Sequence, residues 1–212
     1  MSQQPFSLRT ILHAWPLILV IAATGLFLGV VLSFLRPLEY SSTTRLIIRQ
    51  NLGAVDVYTA ARSAERVADD LSIGIYTDEV YDAVLEHSAA IDESYFGEER
   101  RKIRDNWEDA ISTAVSRGTG YLTIKVYHTD VAQAELVAST IATVLTEQGT
   151  DFTSGTNIEI RVVDQPLNSK WPVRPNILVN AFSGLVLGLL AGVGYVLIES
   201  ERMRRRHTFI NE

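Results

Sequence analysis

The chain has 212 residues, 47% of them hydrophobic, with 19 basic and 25 acidic side chains for a formal net charge of −6, and no cysteine. The missing cysteines exclude disulfides and thiolate metal sites. Between Arg36 and Arg174 lie 14 basic and 22 acidic residues, net −8, a balance that disfavours nucleic acid and anionic headgroups as main partners and leaves neutral glycans and proteins open.

Two stretches free of Asp, Glu, Lys and Arg bracket that acidic middle, 26 residues from Thr10 to Leu35 and 24 from Pro175 to Ile198. A bilayer core needs about 20 apolar helical residues, so both are expected to span. The first is too long for a signal-peptide h-region of roughly 7–15 residues, and Leu32 to Arg36 offers no small-residue cleavage site. The expected division is a cytoplasmic tail 1–11, a transmembrane helix 12–35, an extracytoplasmic domain 36–174, a second transmembrane helix 175–198 and a basic tail 199–212. Arg202, Arg204, Arg205 and Arg206 follow the second helix whereas only Arg9 precedes the first, so the positive-inside rule puts both termini in the cytoplasm, with the arginines against an anionic leaflet.

Past Arg36-Pro37, Tyr40 to Gln50 alternates with a period of two and reads as a strand. A looser stretch at Asn51-Leu52-Gly53 follows, then helical spacing from about Thr59 to Leu71. A second helix begins at Thr77, a candidate N-cap, with Asp78 and Glu79 in its first turn. A third is expected from about Glu98 to Val115 on the stripe Ile103, Trp107, Ala110, Ile111 and Ala114. The mixed charges Glu98 to Lys102 read as a solvated helix surface. Gly118-Thr119-Gly120 opens a strand with Leu122, Ile124 and Val126 on one side, ending at His128. Asp130 caps the next helix, with Gln133 at capping-box spacing and an apolar stripe from Ala134 to Leu145, closed by Gly149. Ile158, Ile160 and Val162 mark the last strand. The expected fold is an α/β extracytoplasmic domain in which helices cover a mixed sheet, with a parallel strand–helix–strand unit over 120–164 and antiparallel first and last strands.

Little of this carries chemistry. His13, His87, His128 and His207 have no metal-ligand spacing, and none of Lys102, Lys125 and Lys170 follows a glycine, so there is no phosphate-binding loop. Adjacent acids such as Asp69-Asp70, Asp92-Glu93 and Glu98-Glu99 are expected in an acidic domain and do not make a glycosidase dyad. Catalytic residues, cofactor and metal are all expected to be absent.

Gly25 and Gly29 form one GxxxG; Gly184, Gly188 and Gly192 form two more on one helix face. Missing side chains let helix backbones approach closely in lipid. Just ahead of the second helix, residues 164–176 hold Pro166, Pro172 and Pro175 within ten residues. Prolines there are expected to forbid helix and ladder pairing and to stiffen the chain, and Trp171 suits the headgroup level.

Three segments carry a resemblance: Tyr40 to Arg49; Tyr121 to Leu145, with Ile124-Lys125-Val126, Asp130 and Ala134; and Ile160-Arg161-Val162-Val163-Asp164 followed by Pro166, Pro172, Pro175, Gly184 and Gly188. Together the chain resembles the chain-length determinant proteins, the Wzz-type polysaccharide co-polymerases, over nearly its whole length. The resemblance implies a non-enzymatic membrane scaffold, assembled as a homo-oligomeric ring in the bacterial inner membrane. Such a protein regulates the length or export of a surface polysaccharide (capsule, exopolysaccharide or O-antigen) with a polysaccharide polymerase as partner. Ring assembly is expected to set the Gly184, Gly188 and Gly192 face against another helix. Longer relatives carry an extended helical arm after the helix beginning here at Asp130, so this domain is a minimal version. Some relatives continue into a cytoplasmic tyrosine kinase; no tyrosine follows Tyr195, and kinase activity is not expected here. A separate kinase engaged through Arg204 to Ile210 is the two-protein form of the family. The alternative is a membrane-anchored sensor whose ectodomain binds a ligand and signals through a partner, since the tail is too short for an output domain.

Overall fold

A computed structural model describes residues 14–50, 56–153 and 157–210, with side chains as far as Arg202 in the last helix. The tail 1–11, the start of the first apolar stretch, residues Asn51–Gly53 and the side chains of Arg204, Arg205 and Arg206 lie outside the described residues. The chain divides into two units, residues 39–173 and the two terminal segments up to Leu38 and from Arg174.

In the middle unit, helices cover one face of a four-stranded sheet. Its elements are β1 (Tyr40–Gln50), α2 (Val57–Gly74), α3 (Asp78–His87), a 3-10 turn at Glu93–Tyr95, α4 (Arg100–Ala110), β2 (Ile111–Val115), β3 (Tyr121–His128), α5 (Val131–Gln148) and β4 (Ile158–Asn168). The strand order is β2-β3-β1-β4.

Every pairing in this sheet is antiparallel, which corrects the expectation of a mixed sheet. Strands β3 and β4 do run in the same direction, as a crossover through α5 demands, but β1 lies between them and pairs with both. An interior position suits β1, where Leu46 and Ile48 are at most 1% exposed and Thr44 is fully buried; β3, the other interior strand, is as deeply buried at Leu122 and Ile124.

The third helix also ends earlier than expected. Ile111, Thr113 and Val115 leave α4 and pair with Val126, Ile124 and Leu122 of β3. Their β-branched alternation fits a pleated, half-buried surface better than a helix. The turn to β3 needs Gly118, whose φ of +68° lies in the left-handed region. Along the outer edge of β2, the Thr113 N–H donates to the Tyr76 hydroxyl at 3.2 Å.

Helix starts follow local chemistry. Asp56 accepts from the Thr59 N–H, three residues before the expected start of α2, and Thr77 accepts from the Val80 N–H of α3. Asp130 accepts from the Ala132 N–H at the head of α5. Gln133 does not complete a capping box. Its Oε1 accepts from the Asp92 N–H and its Nε2 donates to Ala90 O, fastening the turn before Glu93 to α5, while His128 Nδ1 takes the Asp130 N–H at 2.9 Å.

The core between helices and sheet is continuous. Val67, Ala68 and Leu71 of α2 and Val137, Ile141 and Leu145 of α5 meet Leu46, Ile48, Leu122, Ile124 and Ile160. At one end an aromatic group closes it: Trp107 lies edge-on to Tyr81 and Phe96, with centroids 5.1 and 5.3 Å away. The Trp107 indole N–H donates to Ile75 O at 2.8 Å, which satisfies the one polar atom its burial strands.

In the terminal unit, α1 (Trp15–Ser33) and α6 (Ile177–Ile210) are long, apolar helices. Pro16 stands in the first turn of α1, where a missing N–H costs nothing. Asn176 caps α6 through an Oδ1 contact with the Val179 N–H at 3.2 Å. Trp15–Ser33 and Ile177–Arg202 are both long and apolar enough to cross a membrane, and α6 continues as helix past the expected boundary at Ile198.

Candidate functional site

Every glycine singled out in the two apolar helices lies against the other helix of the same chain. A methyl group built on Gly25 would stand 2.4 Å from Gly184 O; one on Gly184 would stand 2.3 Å from Gly25 O. Gly29 meets Asn180 O at 2.4 Å, Gly188 meets Ala22 Cα at 2.8 Å and Gly192 meets Ile18 Cα at 3.2 Å by the same construction. All these contacts are with backbone atoms, which cannot swing away. The helix against the Gly184, Gly188 and Gly192 face is therefore α1 of the same chain.

A polar contact supplements the glycines. Asn180 Nδ2 donates to Ser33 Oγ at 2.9 Å, and Ser33 in turn donates to Gly29 O. Ser33 is 2% exposed. Sequence reasoning on glycine spacing passed over this pair; its signal is an Asn inside an otherwise apolar run, where polar side chains act as interhelical fasteners.

The proline-rich segment behaves differently from expectation at one position. Pro166 lies inside β4, because β4 is an edge strand and its register against β1 shifts between Thr43 and Arg45 and again between Arg45 and Leu46. Extra residues of β4 at the shifts leave Pro166 without a ladder bond to donate, the situation in which a strand tolerates proline. Beyond it, Ser169 N–H donates to Ser41 O and Val173 N–H to Glu39 O, holding the segment alongside the start of β1. Trp171 is 79% exposed. Pro172 follows it, and Pro175 precedes the Asn176 cap. Arg202, the one tail arginine with a described side chain, is exposed.

The charge patch Glu98–Lys102 resolves into pairs on the helical layer. Arg104 and Arg100 both reach Asp78 of α3, at 2.7 and 3.4 Å, and Lys102 pairs with Glu99. The hydrogen bond from Arg104 holds the Asp78 carboxyl below its ordinary range. Among the described residues no group of three or more His, Cys, Asp or Glu is placed to hold a metal ion.

Among the described residues of the middle unit, no helix packs on the opposite face of the sheet. Register assigns to it Ser112 and Ala114 of β2; Tyr121, Thr123, Lys125 and Tyr127 of β3; Ser41, Thr43, Arg45, Ile47 and Arg49 of β1; and Glu159, Arg161, Asp164 and Leu167 of β4. Arg45 pairs with Asp164 across the strands at 3.5 Å, and Arg161 pairs with Glu159. The sequence shows this face only as the polar half of each alternation; the strand order is what gathers it into one surface.

His128 ends the covered face of β3. It is 5% exposed, its ring lies 3.9 Å from that of Tyr95, and burial holds its pKa below the ordinary 6.5.

No family model matches the chain, and a comparison with curated proteins finds no match.

Proposed function

We propose that this chain is a non-enzymatic scaffold of the bacterial inner membrane that regulates the length, polymerisation or export of a surface polysaccharide. The observation that carries the proposal is where the three segments resembling chain-length determinants meet. The first is β1, the second begins with β3 and the third with β4, and β3 and β4 are the two neighbours of β1. The first segment, more than 70 residues of chain from the other two, thus joins them in one contiguous sheet, and the last leads through the proline-rich stretch into the glycine-bearing helix.

On this reading α1 and α6 span the membrane, both termini are cytoplasmic and the α/β domain lies outside the cytoplasm. The glycine faces hold α1 and α6 together within a subunit, which leaves the outer helix faces and the α/β domain to build a ring of subunits. The partners are further copies of the chain, membrane lipids, the polysaccharide polymerase and, through the basic end of α6, a separate tyrosine kinase.

Deletion of the gene, followed by gel analysis of surface polysaccharide, tests the proposal. Loss of polymer or a changed length distribution, restored by wild type, is expected. A complementing Pro172→Ala, Pro175→Ala chain that fails to restore it would assign the exit segment a role. An unchanged polysaccharide profile would overturn the reading in favour of a ligand sensor.

A further inference from the structure

The overall charge of the middle unit hides a division between its two sides. Residues 56–110, which supply α2, α3 and α4 on the covered side, hold 15 acidic and 6 basic side chains, net −9. The uncovered sheet face holds Arg45, Arg49, Lys125 and Arg161 against Glu159 and Asp164, net +2. Both acids on that face are already paired. Arg49 and Lys125 have no ion-pair partner among the described residues; Lys125 stands opposite Thr43 in the middle of the face, and Arg49 stands near the end of β1 opposite Glu159.

We propose that this face binds an anionic polysaccharide, carrying uronic acid or comparable acidic groups, laid on the cations of β1 and its neighbours. This deepens the polysaccharide function proposed above and rests on it. Charge complementarity selects the sign: a polyanion is drawn to this positive face and repelled by the helical layer. The make-up of the face selects a hydrated polymer over a folded protein. Protein interfaces deplete charge at their centres and put apolar anchors there. Here the centre is Thr43, Arg45, Thr123 and Lys125, with Ile47, Ala114 and Leu167 scattered around it. Tyr121 and Tyr127 stand towards opposite ends of β3, where aromatic rings can stack on sugar rings. From Thr43 to Arg49 the surface runs about 20 Å along β1 at the usual strand rise, enough for several consecutive sugars.

The test uses the full chain in nanodiscs of neutral phosphatidylcholine, with polygalacturonate, neutral dextran and poly-glutamate as probes. Polygalacturonate is expected to bind, more weakly as salt is raised, and the Arg49→Glu, Lys125→Glu chain to lose at least tenfold in affinity. The neutral Arg49→Gln, Lys125→Gln chain, run in parallel, is milder towards folding and is expected to fall between. Equal binding by wild type and both variants would overturn the proposal, as would equal binding of dextran. Poly-glutamate binding as tightly, with the same loss in the variants, would reassign the face to acidic peptides. Smaller assemblies of the variants with unchanged polymer binding would make it an interface between copies. A deletion strain with altered polysaccharide beside variants that bind normally would sink this inference alone. An unaltered deletion strain would sink the function instead.

Discussion

Gly184→Ala adds one methyl group where the two apolar helices are closest. The nearest atoms are Gly25 O at 2.3 Å, Gly25 C at 3.0 Å and Gly29 Cα at 3.3 Å, whereas ordinary contact begins at 3.4 Å. All three belong to backbone, so the helices must separate locally by about 1 Å. A gap of that size forfeits roughly a quarter to a half of each neighbouring dispersion contact, and it stretches the Asn180–Ser33 bond beyond hydrogen-bonding range. Overpacking on this scale costs about 1–3 kcal/mol, against a gain of about 1 kcal/mol from replacing glycine in a helix. Gly194 lies on the same helix with nothing within 4 Å of its added methyl, so Gly194→Ala keeps the gain without the clash. The chain has no cysteine, so dyes placed on Leu17→Cys and Tyr195→Cys, both exposed positions, report helix separation by energy transfer during SDS titration. The Gly184→Ala pair is expected to separate at a lower SDS fraction than wild type, and the Gly194→Ala pair at the same or a higher one. A Gly184→Ala chain as resistant as Gly194→Ala would refute the close-packed face.

Asn180→Ala and Ser33→Ala are each expected to weaken the same helix pair by about 0.6 kcal/mol, the usual worth of such a bond in a bilayer; a double-mutant cycle showing no coupling would remove the bond from the account. Burial lowers the His128 pKa, so the folded protein takes up this proton less readily than the unfolded chain. Stability is therefore full above the ordinary value of 6.5 and falls as pH drops towards the lower folded value. Melting curves from pH 8 to pH 5 are expected to show this loss and His128→Gln to flatten it; a wild-type slope retained by the variant would assign the loss to other groups.

The helices were legible because their information is local. Thr77 and Asp130 announce their caps, and the stripe Ala134 to Leu145 needs no partner to be recognised. The strand Ile111–Val115 was not, since Trp107, Ala110, Ile111 and Ala114 keep helical spacing across the boundary, and only pairing with β3 decides against them. Pro166 misled for a related reason: whether proline is compatible with a strand depends on which edge lies outside, a property of strand order rather than of the residue. Gln133 shows the same limit in a single side chain, drawn from a local cap to the distant Ala90–Asp92 turn. The glycine spacing announced a packing face, but spacing alone cannot name the partner helix.

The position of β1 has a consequence for synthesis. It is the first of the described strands in chain order and one of the two interior ones, and its two neighbours begin at Tyr121 and Ile158. A ribosome must therefore add more than 70 residues before β1 gains its first neighbour and over 100 before it gains its second. Pairings this far apart in sequence form slowly, and a strand with both edges open is a template for other chains. During that interval the open edges of β1 are available to a chaperone or to β1 of another copy translated on the same polysome.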